Sequence, residues 1–176
     1  MKAIIRTYIS SVSFHHHLLD DTGKYDHYYP LDNLGEIDKL IDWDNFYIRG
    51  MIYMKLNETV LLNETDADMI PEAWSSILSV IVDLINEGKG IEISYDQGFC
   101  LSMKKINNLT IEICNEGGNG HPKIYVYGNP KELLPPIFDA IQECCEIMSK
   151  YIKMDNLKQQ LQIVKNKADD WMKSFN

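Results

Sequence analysis

The chain has 176 residues, is 45% hydrophobic and 24% charged, and carries a net charge of −9 with a pI of about 4.9. That length and apolar content suffice for one buried core and argue against a disordered chain. Acidity without clustered Lys or Arg argues against nucleic acid as a direct ligand, and no apolar window is long enough to span a membrane.

Met1–Arg6 opens with an apolar run too short for a signal peptide and closed by Arg6, so a cytoplasmic protein is expected. Lys2 to Ser10 alternates loosely and reads as a strand. Ser13 to Tyr29, SFHHHLLDDTGKYDHYY, follows hairpin logic. If Asp21-Thr22-Gly23 is a three-residue loop, His17 meets His27 and His15 meets Tyr29, so His15, His17 and His27 share a face. A His-x-His with a third His across the ladder is a feasible zinc geometry. Asp20 and Asp26 fall on the opposite face, however, where they cannot hold the second imidazole nitrogens. The expectation is a polar strand pair, with no metal and no other cofactor. Tyr25, Tyr28 and Tyr29 form the most interface-like aromatic group, because Tyr is enriched in recognition surfaces.

Phe46 to Leu56 reads as a long strand and Glu58 to Leu62 as a short one after a turn at Asn57. No basic residue lies between Lys55 and Lys89, while Glu58, Glu64, Asp66, Asp68, Glu72, Asp83 and Glu87 all do. Glu58, Glu64, Asp66, Asp68 and Glu72, together with Tyr25, Tyr28 and Tyr29, are therefore the candidate docking residues for a basic protein partner. A helix near 69–87 follows, with Ile70, Ala73, Trp74, Ile77, Leu78, Ile81, Leu84 and Ile85 on one face. Asp66 or Asp68 supplies its cap, Pro71 suits the first turn and Gly88 closes it.

A meander over 90–128 comes next. Asp96-Gln97-Gly98 as a three-residue loop pairs Tyr95 with Phe99, Ile93 with Leu101 and Ile91 with Met103, giving one apolar face. Matching the following hairpin in the same way sets Leu101 opposite Ile113, Met103 opposite Ile111 and Cys100 opposite Cys114. A directly opposed pair is a strained place for a disulfide, so two thiols are expected. Glu92, Ser102 and Glu112 would line up on the polar face, too solvated for acid–base work. Gly117-Gly118-Asn119-Gly120 lacks the Lys of a phosphate loop.

Lys123 to Gly128 is the last strand. A helix near 132–153 is capped by Asn129, with Pro135 and Pro136 in its first turn and a stripe of Leu134, Ile137, Phe138, Ile141, Cys145, Met148 and Ile152. A helix near 155–174 carries a narrow seam of Leu157, Leu161, Val164, Ala168, Trp171 and Phe175. That seam packs against the preceding helix or against another chain, the second case giving a homo-oligomer. The chain through Lys153 is expected to fold without it.

The expected class is α+β: a mainly antiparallel sheet with helices near 69–87, 132–153 and 155–174, a single domain over 1–176 with 155–176 as a helical extension. With the meander IEISYDQGFCLSM and the acid-rich LNETVLLNETDAD, the chain resembles the small acidic immunity proteins of bacterial polymorphic toxin systems. The resemblance implies a non-catalytic protein that neutralises a toxin by tight association, and the acidity suits a basic partner such as a nuclease domain. Two rival readings remain: a small metal-dependent enzyme using His15, His17 and His27, and an oligomeric scaffold joined through the C-terminal seam.

Overall fold

A computed structural model describes residues 2–10, 28–41, 48–63, 66, 68–94, 99–116 and 122–175. The expected histidine hairpin with His15, His17 and His27, the residues Tyr25 and Glu64, and the loops 95–98 and 117–121 lie outside the described residues. Strands β1 (Ala3–Ser10) and β2 (Tyr28–Pro30) precede two short 3-10 turns, Leu31–Asn33 and Gly35–Leu40. Then follow β3 (Arg49–Leu56), β4 (Thr59–Leu62), β5 (Asp68–Met69) and helix α1 (Ile70–Glu87). Strands β6 (Lys89–Ser94), β7 (Phe99–Asn107), β8 (Thr110–Asn115) and β9 (Ile124–Gly128) lead to α2 (Pro130–Met148) and α3 (Asp155–Lys173). The fold is α+β, as the sequence predicts.

Both sheets are antiparallel: one has the order β2-β1-β3-β4 with β5 beside β3, the other β6-β7-β8-β9. They meet at Asn115, which is buried at the end of β8. Its Nδ2 donates to the Leu61 carbonyl at 2.9 Å and to Asp66 Oδ1 at 3.1 Å. An amide buried between sheets is tolerable because it is hydrogen-bonded there.

Helix α1 is the element around which the core is built. Ile70, Trp74, Ile77, Leu78, Ile81 and Leu84 are buried along the predicted stripe. The Trp74 indole N–H donates to Thr7 Oγ1 at 3.2 Å, tying α1 to β1 in the interior. Gly88 ends the helix in the left-handed conformation (φ 77°), its N–H bonded to the Leu84 carbonyl, as predicted. The start differs from expectation. Met69 occupies the cap position with no side-chain bond, and Asp66 instead accepts from the Asn63 N–H at 3.0 Å.

The register of β6 is also corrected. Ile91 lies opposite Ser102 and Glu92 opposite Leu101, one residue out of phase with the expected pairing. Four residues, not three, therefore separate the paired ends Ser94 and Phe99. The cause lies at Gly90. A Cβ there would stand 2.2 Å from the Val80 carbonyl oxygen of α1, so the inward position of β6 must be glycine. With Gly90 turned in, Ile91 turns out and Glu92 turns toward the helix, where Ser76 Oγ donates to it at 3.4 Å. Glu92, Ser102 and Glu112 consequently do not share a face. In the next hairpin Ser102 faces Cys114 and Met103 faces Ile113, a two-residue shift that preserves the faces and parts Cys100 from Cys114. All four cysteines are free thiols.

Helix α2 begins at Pro130, with Asn129 Oδ1 accepting from the Lys131 N–H at 2.9 Å. It starts two residues before the expected position and ends at Met148, so Pro135 and Pro136 lie inside it rather than in its first turn. Helix α3 runs alongside α1 in the same direction. Ser75 Oγ donates to Gln160 Oε1 at 2.8 Å near their starts. Near their ends Lys105, whose N–H bonds the Gly88 carbonyl, places its Nζ 4.6 Å from the Phe175 ring centroid. Leu157, Leu161, Val164, Ala168 and Met172 are buried in the same apolar cluster as α1 and α2. Trp171 and Phe175 stay half-buried, edge to face at 4.6 Å. The seam is thus occupied within the chain.

Truncation after Lys153 is now expected to abolish cooperative unfolding, against the sequence-based expectation. Each large apolar side chain of α3 contributes about 1.5–3 kcal/mol of burial, and the surface beneath it is exposed as well. Circular dichroism through a urea series checks this, and an unchanged midpoint would show α3 to be dispensable.

Candidate interaction surface

Strand alternation sends one side of the second sheet toward the helices and leaves the other open. Leu101, Met103, Ile111, Ile113 and Val126 point in and are buried. The open side carries Ile91 (58% exposed), Tyr125 (44%) and Tyr127 (55%), three large side chains on a hydrogen-bonded support. The two tyrosine rings lie nearly parallel, at 12°, with centroids 6.4 Å apart. In register, Ile91, Ser102, Cys114 and Tyr125 form one row across the face, and Lys104, Glu112 and Tyr127 another.

One ion pair on this face joins Glu116 and Lys123. Glu116 accepts from Ser102 Oγ at 3.0 Å and from Lys123 Nζ. The Lys123 hydrogen bond holds the Glu116 carboxyl below its ordinary range, against the opposing effect of burial. Glu112 raises the Tyr127 phenol by hydrogen bonding, and that ring keeps its proton. Cys114 is buried within the face, and desolvation first, then Glu116, pushes its thiol up to about 11. Burial likewise raises Cys144 to about 12 and Cys145 to about 11. These thiols are protonated at neutral pH, so none is an activated nucleophile. The face offers aromatic and aliphatic contact with little net charge.

The residues singled out from sequence are not gathered into one site. Glu58 sits in the β3–β4 turn with its side chain 90% exposed, 3.2 Å from Lys55 Nζ. Asp68 pairs with Gly50 at the other end of β3. The six steps from Gly50 to Leu56 span about 20 Å at strand rise, well beyond the ~8 Å screening length at physiological salt. Asp66 is engaged by the Asn63 N–H and by Asn115. Glu72 is exposed in the first turn of α1. Tyr28 and Tyr29 are half-buried in β2, opposite Ser10 and Ile9.

A cleft of about 200 Å³ lies between the 3-10 turns and the end of α2, lined by Leu31, Asp32, Leu34, Asp38, Lys150 and Tyr151. The Tyr151 hydroxyl donates to Asp38 Oδ2 across it at 3.0 Å. It is smaller than the roughly 300–1,000 Å³ usual for small-molecule sites. Among the described residues no three His, Cys, Asp or Glu are grouped to hold a metal ion. Among the described residues no helix is long and apolar enough to cross a membrane.

Compared with protein-family models, curated proteins and solved structures, the chain has no match. Sequence reasoning passed over Tyr125, Tyr127 and Ile91. The alternation in Ile124-Tyr125-Val126-Tyr127 was signal enough for the tyrosines, but Ile91 needed the true register.

Glu116→Gln gives a pH-dependent outcome. The folded carboxyl titrates below its unfolded value, so its stabilisation is present at neutral pH and is lost as pH falls through the folded value. The wild type is expected to melt above the variant at neutral pH, with the gap closing as pH falls through the lowered folded value. A constant gap across thermal melts would mean that the Glu116–Lys123 pair contributes nothing.

Proposed function

We propose that this is a non-catalytic binding protein that neutralises a basic toxin domain in the cytoplasm by tight association, in the manner of the small acidic immunity proteins it resembles. The observation that carries this reading is the open face of the second sheet. Ile91, Tyr125 and Tyr127 stand exposed on a regular antiparallel support, in a chain of net charge −9. Tyrosine gives large amphipathic contact at low entropic cost, which is why it recurs at interface hot spots. The unbalanced charge draws in a cationic partner, and the nearly neutral aromatic face holds it once desolvated. Glu58 and Glu72, both exposed, add to the steering field away from this face.

The reading requires a toxin reading frame beside this one, and co-expression with that domain tests it directly. Wild-type protein is expected to restore growth. Tyr125→Ala with Tyr127→Ala should keep its fold but bind at least about 30-fold more weakly, the effect of one ~2 kcal/mol hot spot. Failure of the wild type to rescue would sink the reading, whereas rescue by the double variant at undiminished affinity would move the contact elsewhere. In the same system, Glu58→Gln, Glu64→Gln and Glu72→Gln combined should slow association several-fold and flatten its salt dependence, with little change in dissociation. Stopped-flow mixing across a salt series reads this out, and an unchanged slope would remove those acids from the steering set.

A further inference from the structure

Strand β6 ends its sheet: among the described residues no strand pairs with its far side. The bond from the Lys105 N–H to the Gly88 carbonyl sets the alternation of the β6–β7 ladder. Residues 90 and 92 therefore bond to β7, and Lys89 and Ile91 turn their N–H and C=O groups outward. The two flanks of this edge differ chemically. On the open side stand the exposed Ile91 and, two residues before it, Lys89 opposite Lys104, where added lysines would be repelled. On the helix side stand Asp83 and Glu87 of α1, both exposed, and Glu92 of β6. Asp83 lies against the β6 backbone, since a Cβ on Gly90 would come within 3.0 Å of Asp83 Cβ. Among the described residues no cation is paired with Asp83, Glu87 or Glu92.

We infer that β6 is a strand-addition edge that accepts an extended partner segment in which basic and apolar residues alternate. The inference rests on the binding reading above and names how that partner is held. An added strand bonds to the free groups of Lys89 and Ile91. Its apolar residues fall on the open side beside Ile91, and its basic residues fall on the helix side against Asp83, Glu87 and Glu92. Of the two phases that period-two alternation allows, only this one sets the basic residues against the acids. A second copy fits this edge poorly, because β6 paired with itself across a two-fold axis brings two acidic flanks together.

The probe is a synthetic acetylated peptide of alternating Lys and Val, set against its isomer with all lysines in one block. The alternating peptide is expected to bind the full chain at least about tenfold more tightly than the block isomer and to slow amide exchange at Ile91. Ile91→Pro removes an outward N–H without breaking the β7 ladder and should weaken binding at least about tenfold. Asp83→Asn with Glu87→Gln leaves the strand intact and should reduce both affinity and salt dependence, so the test survives if the proline variant fails to fold. Equal binding of the two peptides, or unaltered binding by these variants, would overturn the inference. Protection of Ile91 in a concentration-dependent dimer without peptide would also overturn it, in favour of self-pairing. Peptide preference without rescue from the toxin would keep the edge and remove the toxin reading. Rescue without peptide preference would do the reverse.

Discussion

The contact between Gly90 and the Val80 carbonyl governs how this molecule presents itself. Helix α1 ends at Gly88 and the chain reverses at once into β6, so strand and helix must lie against each other from the first residue. At that distance no Cβ fits at position 90, and the close approach selects which side of β6 faces in. Every later consequence is a matter of parity. Ile91 is exposed instead of buried, Glu92 is drawn toward Ser76, and the outward backbone groups fall on Lys89 and Ile91. A strand that read as half-buried thereby became an edge whose open flank carries Ile91 and Lys89 and whose helix flank is acidic.

This also marks how far the sequence could be read. Helix α1 was legible because its apolar stripe repeats over 18 residues and ends in a glycine that the left-handed cap requires. The inward residues of β7, β8 and β9 were legible because alternation survives any shift by two, which is the shift that Met103 and Ile113 show. The phase of β6 was not legible. Apolar matching favoured burying Ile91, and the steric demand that overrode it comes from a helix ten residues upstream. The cap of α1 was misassigned for a related reason: Asp66 had a stronger claim on it from the Asn63 N–H and Asn115 than from the helix end.

The acidic residues of the centre divide by what they touch. Asp66 is bound into the junction of the two sheets and contributes to stability, with its oxygens directed at two specific donors. Glu58 and Glu72 are exposed at opposite ends of the first sheet, where they act at a distance. The run of acids that looks like one feature in the sequence is therefore two in space, because β3 separates its members by more than a screening length. The C-terminal seam shows the converse. A stripe narrow enough to suggest an intermolecular partner is filled by α1 and α2, since a helix lying on two others needs only a narrow contact with each.

The open sheet face and the β6 edge are adjoining parts of one surface, and Ile91 belongs to both. This matters for specificity. An exposed edge alone would accept many extended chains, and an aromatic face alone would adhere to many apolar ones. In the proposed docking, acids confined to the helix side of the edge set the phase of the segment, with basic residues toward α1 and apolar residues on the open side beside Ile91. The same acids repel a second acidic copy. Under that proposal, selection for a cationic partner and protection from self-association follow from one placement of charge, as expected where edge strands are kept both usable and safe.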